Sequence, residues 1–459
     1  MREQLKVVLV GAASPQWGYG MARDLIVQLS RPEICDRGAP ILVLEDVDGP
    51  QLRAQFELAR RIARLAGGRV TIRQTTDQRR ALSGARFVVV SFAVGTLEAM
   101  AHDVEIPQEY GIYQPVGDTI SIGGALRAAR NIPALVGIAK DIERSGHPDA
   151  WLINIANPMA ALCRAVTRET RVRTVGCCHE LYGGLQLVCE WLGLPYENWR
   201  ETVRVSVLGI NHCAWMTRLA IGKRDGLAEL RRYLRRRGIR GEVRQLYNTR
   251  WADLARHNVK INLFLRHGAF PFSGDRHNVE FFTEFVNRST NLGADYGVLL
   301  TSIQERLVAW RGGARARVRR LIEGGEKITL DLSQEAASRI IAAVMTGEPF
   351  YDVGNVPYRG GRLPGVPEGT VLERMVTYGP DGFTPDEAEP LPPGPMRHLA
   401  LHAGILEDVV AASVTGNRKL LIAAMRRDPL LRNMKTSKIP ELVGRLLQAH
   451  RRFVHPGFF

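Results

Sequence analysis

The residues that most constrain this chain are its first apolar run and what stops it. LKVVLV (residues 5–10) is rich in β-branched residues and ends in a turn of small side chains, Gly11, Ala12, Ala13 and Ser14. A helical pattern follows from Tyr19 to Leu29. A strand that runs through a tight turn into a helix opens a βα unit, and the same alternation recurs. ILVLEDVD (41–48), RVTIRQTTD (69–77), ARFVVVSF (85–92), AWLINIANPM (150–159) and RTVGCCHE (173–180) read as further strands, with helical spacing over 50–66 and 124–145. Continuous apolar runs such as VVVSF need both faces covered, as in a parallel sheet with helices on each side. The expected fold class is therefore α/β, with a Rossmann-type doubly wound sheet over residues 1–195. Beyond it the pattern changes. VRVSVLGINHCAWM (203–216) reads as a strand entering a polar turn, and helices are expected over 226–257 and 286–323. The Pro/Gly-rich stretch 351–370 reads as loop before a strand in VLERMVTYG, PLPPGP as a breaker, and two helices as the end of the chain. Residues 196–459 are expected to form an α+β domain for substrate, metal and oligomer contacts.

Composition excludes several classes. At 45% hydrophobic and 24% charged residues over 459 positions, the chain can bury a large core unaided. Its six cysteines have no framework spacing, which points to a reducing, cytoplasmic setting. No apolar run reaches the roughly 18–20 residues that span a bilayer, and the first apolar stretch reads as a strand and not a leader. The formal charge is +15, but the arginines are scattered through segments such as RRYLRRRGIRG and RGGARARVRR. No nucleic-acid module accompanies them, so they read as solvated helix faces and no nucleic-acid partner is expected.

Five segments carry chemistry. In VVLVGAASPQWGYG, Gly11, Ala12 and Ser14 let backbone N–H groups approach a pyrophosphate at a helix N-terminus. The middle glycine of a G-x-G-x-x-G pattern is replaced by Ala13. Asp46, closing the second strand, stands where a ribose-binding acid is expected and favours NAD over NADP. In GCCHE, Cys178 and His179 follow a strand at the carboxyl edge, and a thiolate suits a borderline divalent metal. In GINHCAW, His212 could complete an open two-ligand site with Cys178, or be structural. FPFSGDRHNVEFF places Asp275, Arg276 and His277 between aromatic pairs, a set suited to substrate hydroxyls, carboxylates and proton transfer. EYGIYQPVGDTISIGG puts Asp118 in a loop overhanging the sheet edge.

Taken in order, these segments resemble glycoside hydrolase family 4, the NAD- and divalent-metal-dependent glycosidases. The opening turn with Ser14, VLEDVD, IANPM, GCCHE, GINHCAW, DGFTP and TGNRKL carry the resemblance. It implies a Rossmann domain followed by one like that of lactate and malate dehydrogenases. It also implies a Mn2+ (or similar divalent) site at Cys178 and His212, with Asn157 and Asn211 touching substrate or cofactor. His179 holds the position of a leaving-group acid. Asp275 is the candidate base, with His277 its rival. GIYQPVGDT, CCHE and GDRHNVEFF look most like the branch acting on α-linked uronic acids, the α-galacturonidases, with Asp118 and Arg276 binding substrate. The implied route is oxidation at C3 by NAD, loss of the C2 proton, elimination and water addition, an exception to two-carboxylate glycosidases. Homodimers or homotetramers are implied as well. Alternatives within the family are α-glucuronidase, α-glucosidase and α-galactosidase. Outside it stand a 2-hydroxyacid dehydrogenase, which needs no Cys–His metal pair, and a non-catalytic NAD-binding protein.

Overall fold

The computed structural model describes residues 4–459. Six strands, β1 (Lys6–Val10), β2 (Ile41–Glu45), β3 (Thr71–Thr75), β4 (Phe87–Val90), β5 (Trp151–Asn154) and β6 (Arg173–Gly176), lie parallel in the order 3-2-1-4-5-6. This is the doubly wound order expected of the alternating pattern. β1 and β4 are buried along almost their whole length because helices cover both faces. Gly18–Leu29, Gly49–Leu65 and Ala337–Thr346 pack on one face, Ser121–Ser145, Met159–Glu169 and Pro393–Thr415 on the other. The second half of the chain thus supplies a helix to each face of the first.

The sheet does not stop at β6. The later strands are β7 (Val203–Ile210), β8 (Cys213–Ile221), β9 (Arg224–Asp225), β10 (Phe270–Pro271), β11 (Phe350–Pro357), β12 (Val371–Gly379) and β13 (Gly382–Pro385). β11 pairs antiparallel with β6 where Asn355 meets Gly176, and β12, β7, β8 and β10 follow in turn. The described residues thus form one sheet of 13 strands. β7 and β8 are a hairpin closed at Ile210–Cys213, and its turn residue His212 has φ +69°. A non-glycine residue is uncommon there, though histidine is among those that tolerate it, and it marks a place where the fold dictates backbone geometry.

Several expectations beyond residue 195 are corrected. The helix foreseen over 226–257 ends at Arg236, where the chain turns at Gly238 with φ +83°. The helix foreseen over 286–323 is broken, because Asn291, Leu292 and Gly293 take left-handed backbone before Ile303–Glu323 resumes helical turns. The Pro/Gly-rich stretch begins with β11, hidden because its apolar neighbours come from β12 and β6 and not from its own sequence. Three helices, not two, end the chain, and Thr96–Gln108 forms an unforeseen helix. No helix among the described residues is long and apolar enough to cross a membrane.

Candidate active site

The carboxyl ends of the parallel strands meet the β7–β8 turn along one edge. Gly11 ends β1 with φ +83°, and a methyl group there would lie 2.0 Å from the Ser91 carbonyl oxygen, so only glycine fits. The N–H groups of Gly11 and Ala12 donate to the Glu45 carbonyl at 3.0 and 3.1 Å. Ala13 N–H donates to Asp46 Oδ2 at 2.9 Å, and Trp17 N–H to Ser14 Oγ at 3.2 Å. Asp46 therefore braces the turn from the second strand while standing at its rim. Burial raises its pKa, and the N–H donors of Asp48 and Ala13 oppose the rise.

Opposite the turn, four side chains converge. Asp118 comes from the loop before Ser121–Ser145, His212 from the β7–β8 turn, and His277 and Glu280 from one turn of the helix Asp275–Phe281. Their ligand atoms all lie within 4.8 Å of one another. The two imidazole rings are 3.7 Å apart between centroids. Thr119 Oγ1 bonds His212 Nδ1 at 2.8 Å and donates to Asp118 at 2.9 Å; Glu280 bonds His277 Nδ1 at 2.9 Å. Burial acts to raise the Asp118 carboxyl, but Arg127, His277 and His212 outweigh it and hold the group below its usual range. Burial, then His277, pushes His212 down to about 3. Burial would also lower His277, yet its bond to Glu280 carries it up to about 9. Two carboxylates and two imidazoles at this spacing are a donor set for a borderline divalent cation.

Cys178 closes β6 and is buried, outside this foursome. Burial, then Glu373 and Glu180, raises its thiol well above the ordinary value, opposed by the Glu180 N–H and Asn211. His179 is exposed and bonds Glu335 Oε1 at 3.0 Å. Glu180 accepts from Gly274 N–H at 2.6 Å, and despite burial its pKa is lowered by His277 and His212. Asn211 and Asn355 both donate to Glu373 Oε1, at 3.3 and 3.1 Å. Asn157 precedes Pro158 through a cis bond, and the Oδ1 atoms of Asn157 and Asn211 are buried without a partner.

Two expected residues stand elsewhere. Asp275 caps the helix Asn258–His267: its oxygens accept from Val259 N–H at 2.7 Å and Lys260 N–H at 3.1 Å. Both oxygens accept backbone bonds there, whereas His277, the rival candidate for the base, lies in the cluster. Arg276 forks onto Glu305, at 2.9 and 3.2 Å, and donates to Thr301 Oγ1 at 2.5 Å. Glu280, Glu180, Glu373 and Arg127 were not singled out from sequence. Glu280 had a signal, since it lies three residues after His277 and so shares its helix face. Glu373 had another, an acid inside an apolar strand. Arg127 had none.

The Rossmann order, the bracing acid and the polar edge define the fold class of the lactate and malate dehydrogenases. A lactate dehydrogenase from a deep-sea metagenome superposes over 90% of this chain and all of its own, at TM-score 0.51 and 14% identity. The model of the family 4 glycosyl hydrolases matches residues 6–194, and that of their C-terminal domain residues 207–431. The α-galacturonidase of Bacillus subtilis is 32% identical over 97% of both chains. Its counterpart in Lachnoclostridium phytofermentans is 28% identical over 98% of this chain and 97% of its own. The crystal structure of lplD from Bacillus subtilis superposes at TM-score 0.84 with 28% identity, over 97% of this chain and all of that one. A 6-phospho-α-glucosidase from gut microorganisms, in complex with NAD and Mn2+, superposes at TM-score 0.79 with 17% identity, over 98% of this chain and 99% of its own. The chain belongs to glycoside hydrolase family 4.

Proposed function

We propose that this enzyme hydrolyses α-linked uronic acids, α-galacturonides first among them, with NAD and a divalent cation such as Mn2+. The observation that carries the reading is the convergence of Asp118, His212, His277 and Glu280 on one point. Both groups fit the residues present. The Gly11 turn, kept free of a side chain by the Ser91 backbone, joins a parallel strand to a helix as pyrophosphate-binding βα units do. The cluster pairs two acids with two imidazoles beside a cysteine, and Asn157 and Asn211 hold unpartnered acceptors for sugar hydroxyls. NAD, when bound, supplies reversible hydride uptake, and the cation supplies a Lewis acid for the sugar oxygens.

The chain's own groups do the rest. His212 and Asp118 of the cluster would hold the cation, with Cys178, which stands outside the cluster, as the further ligand that the family resemblance implies. His277 removes the proton beside the oxidised carbon, its ring fixed by Glu280. A divalent cation in the cluster would oppose the protonation that the Glu280 bond favours, because like charges repel. His179, oriented by Glu335, gives a proton to the leaving oxygen. Its pKa is raised, first by the bond to Glu335, which favours the form that can donate a proton. The relatives that are α-galacturonidases support the uronide, and a cation is needed to hold it among these acids. The test is a panel of α-galacturonides, α-glucuronides, neutral hexosides and 6-phosphates, with and without NAD and Mn2+. Uronide cleavage that needs both, with no net NADH, is expected. Preference for a neutral or phosphorylated glycoside would overturn the substrate, and steady NADH from a hydroxy acid would overturn the reaction.

A further inference from the structure

A uronate must place its carboxylate near Asp118, Glu180 and Glu280, all acids, and so needs a cation with a free face. Arg127 and Lys260 are both nearly fully buried, at 8% and 4% exposure. Arg127 is committed through Nε to the Asn157 carbonyl at 3.2 Å and through its head to Asp118 at 3.7 Å. Arg276 differs. Its side chain is 30% exposed, its Nε is buried without a partner, and its fork is filled by Glu305, itself 48% exposed. Thr301, which Arg276 also touches, bonds the Pro115 carbonyl through both its N–H and its hydroxyl. Pro115 lies three residues before Asp118, so the Arg276 head is tied to the loop that carries a cluster ligand.

The Arg276–Glu305 pair has the two-pronged geometry that a guanidinium makes with any carboxylate. Resting on the uronide reading above, we propose that Glu305 is a stand-in for the substrate carboxylate. It keeps Arg276 satisfied until the acid group of the sugar displaces it. The exchange is easy because an exposed ion pair is weak. A neutral sugar has no carboxylate to offer and leaves the pair closed, so Glu305 and Arg276 together sort acidic from neutral substrates. Glu305 sits on the short helix Ile303–Leu307, capped by Ser302, and takes no part in the cluster.

The test is binding, not turnover. Affinities for D-galacturonate and D-galactose are measured calorimetrically on the NAD- and Mn2+-loaded protein, for wild type, E305Q, R276Q and the double variant. E305Q is expected to tighten galacturonate about two- to fivefold, the range of an exposed pair, with galactose unchanged. R276Q is expected to weaken galacturonate about tenfold or more. The double variant should bind no better than R276Q, since Glu305 then has nothing to occupy. Equal effects of E305Q on both sugars, no effect on either, or tightening that survives R276Q would overturn the proposal while the uronide reading stands. A wild type that binds neither sugar and cleaves no glycoside overturns that reading, and this proposal with it.

Discussion

Gly11 offers the most direct check on how the first strand presents the cofactor. In Gly11→Ala the new methyl group meets the Ser91 carbonyl oxygen at 2.0 Å, and the contact is backbone on both sides. One strand end must therefore move by about an ångström, an overpacking that costs about 1–3 kcal/mol. The positive φ adds about 1–2 kcal/mol, because a Cβ in left-handed backbone crowds the next carbonyl. Together the variant loses about 2–5 kcal/mol of stability. The displaced turn is also braced to Asp46 through the Ala13 N–H, so NAD affinity should fall about tenfold, or 1.4 kcal/mol, for an ångström-scale misplacement. The assays are urea unfolding and NAD titration by tryptophan fluorescence. Gly20→Ala is the internal control: it sits in the helix Gly18–Leu29 with nothing within 4 Å of its added methyl. It should be neutral or stabilise by about 0.5–1 kcal/mol. A Gly11→Ala protein as stable as Gly20→Ala, with unchanged NAD affinity, would refute the close-approach argument.

Other perturbations separate the roles of neighbouring residues. His277→Gln should lower turnover about 10²–10⁴-fold with NAD affinity intact; Asp275→Asn should cost about 1 kcal/mol in unfolding experiments and keep turnover, as a helix cap would. Loss of turnover in a well-folded Asp275→Asn protein would return the base to that residue. Mn2+ at about 100 times its dissociation constant should stabilise the wild type by about 2.7 kcal/mol. His212→Ala and Cys178→Ser should lose that gain in a thermal melt; a full gain in either removes that residue from the metal site. Glu373 titrates at about 7 in the folded protein, raised by burial, against 4.5 for the free group. A raised folded pKa contributes stability that is complete below 4.5 and lost as pH rises through 7. Glu373→Gln should therefore gain on the wild type between pH 5 and 8 by up to about 3 kcal/mol. A pH-independent difference would show that Glu373 ionises normally.

The sequence by itself determined the first half of the fold. Strand-to-turn-to-helix alternation is a local signal, because each apolar run of β1, β4 and β5 carries its own burial on both faces. Gly11 and Asp46 were legible for the same reason: turn chemistry and strand endings lie within a few residues. Cys178, His212 and His277 were visible as residue types beside strand ends, and the family resemblance ordered them. What the tertiary structure decided is what depends on distant partners. β11 reads as loop because its burial comes from β12 and β6. Asp275 and His277 are two residues apart, yet one caps a helix and the other lies in the cluster, a division set by where Asn258–His267 begins. Arg276 meets Glu305 across 29 residues, and Thr119 meets His212 across 93. Such pairings follow from packing, which no local pattern encodes.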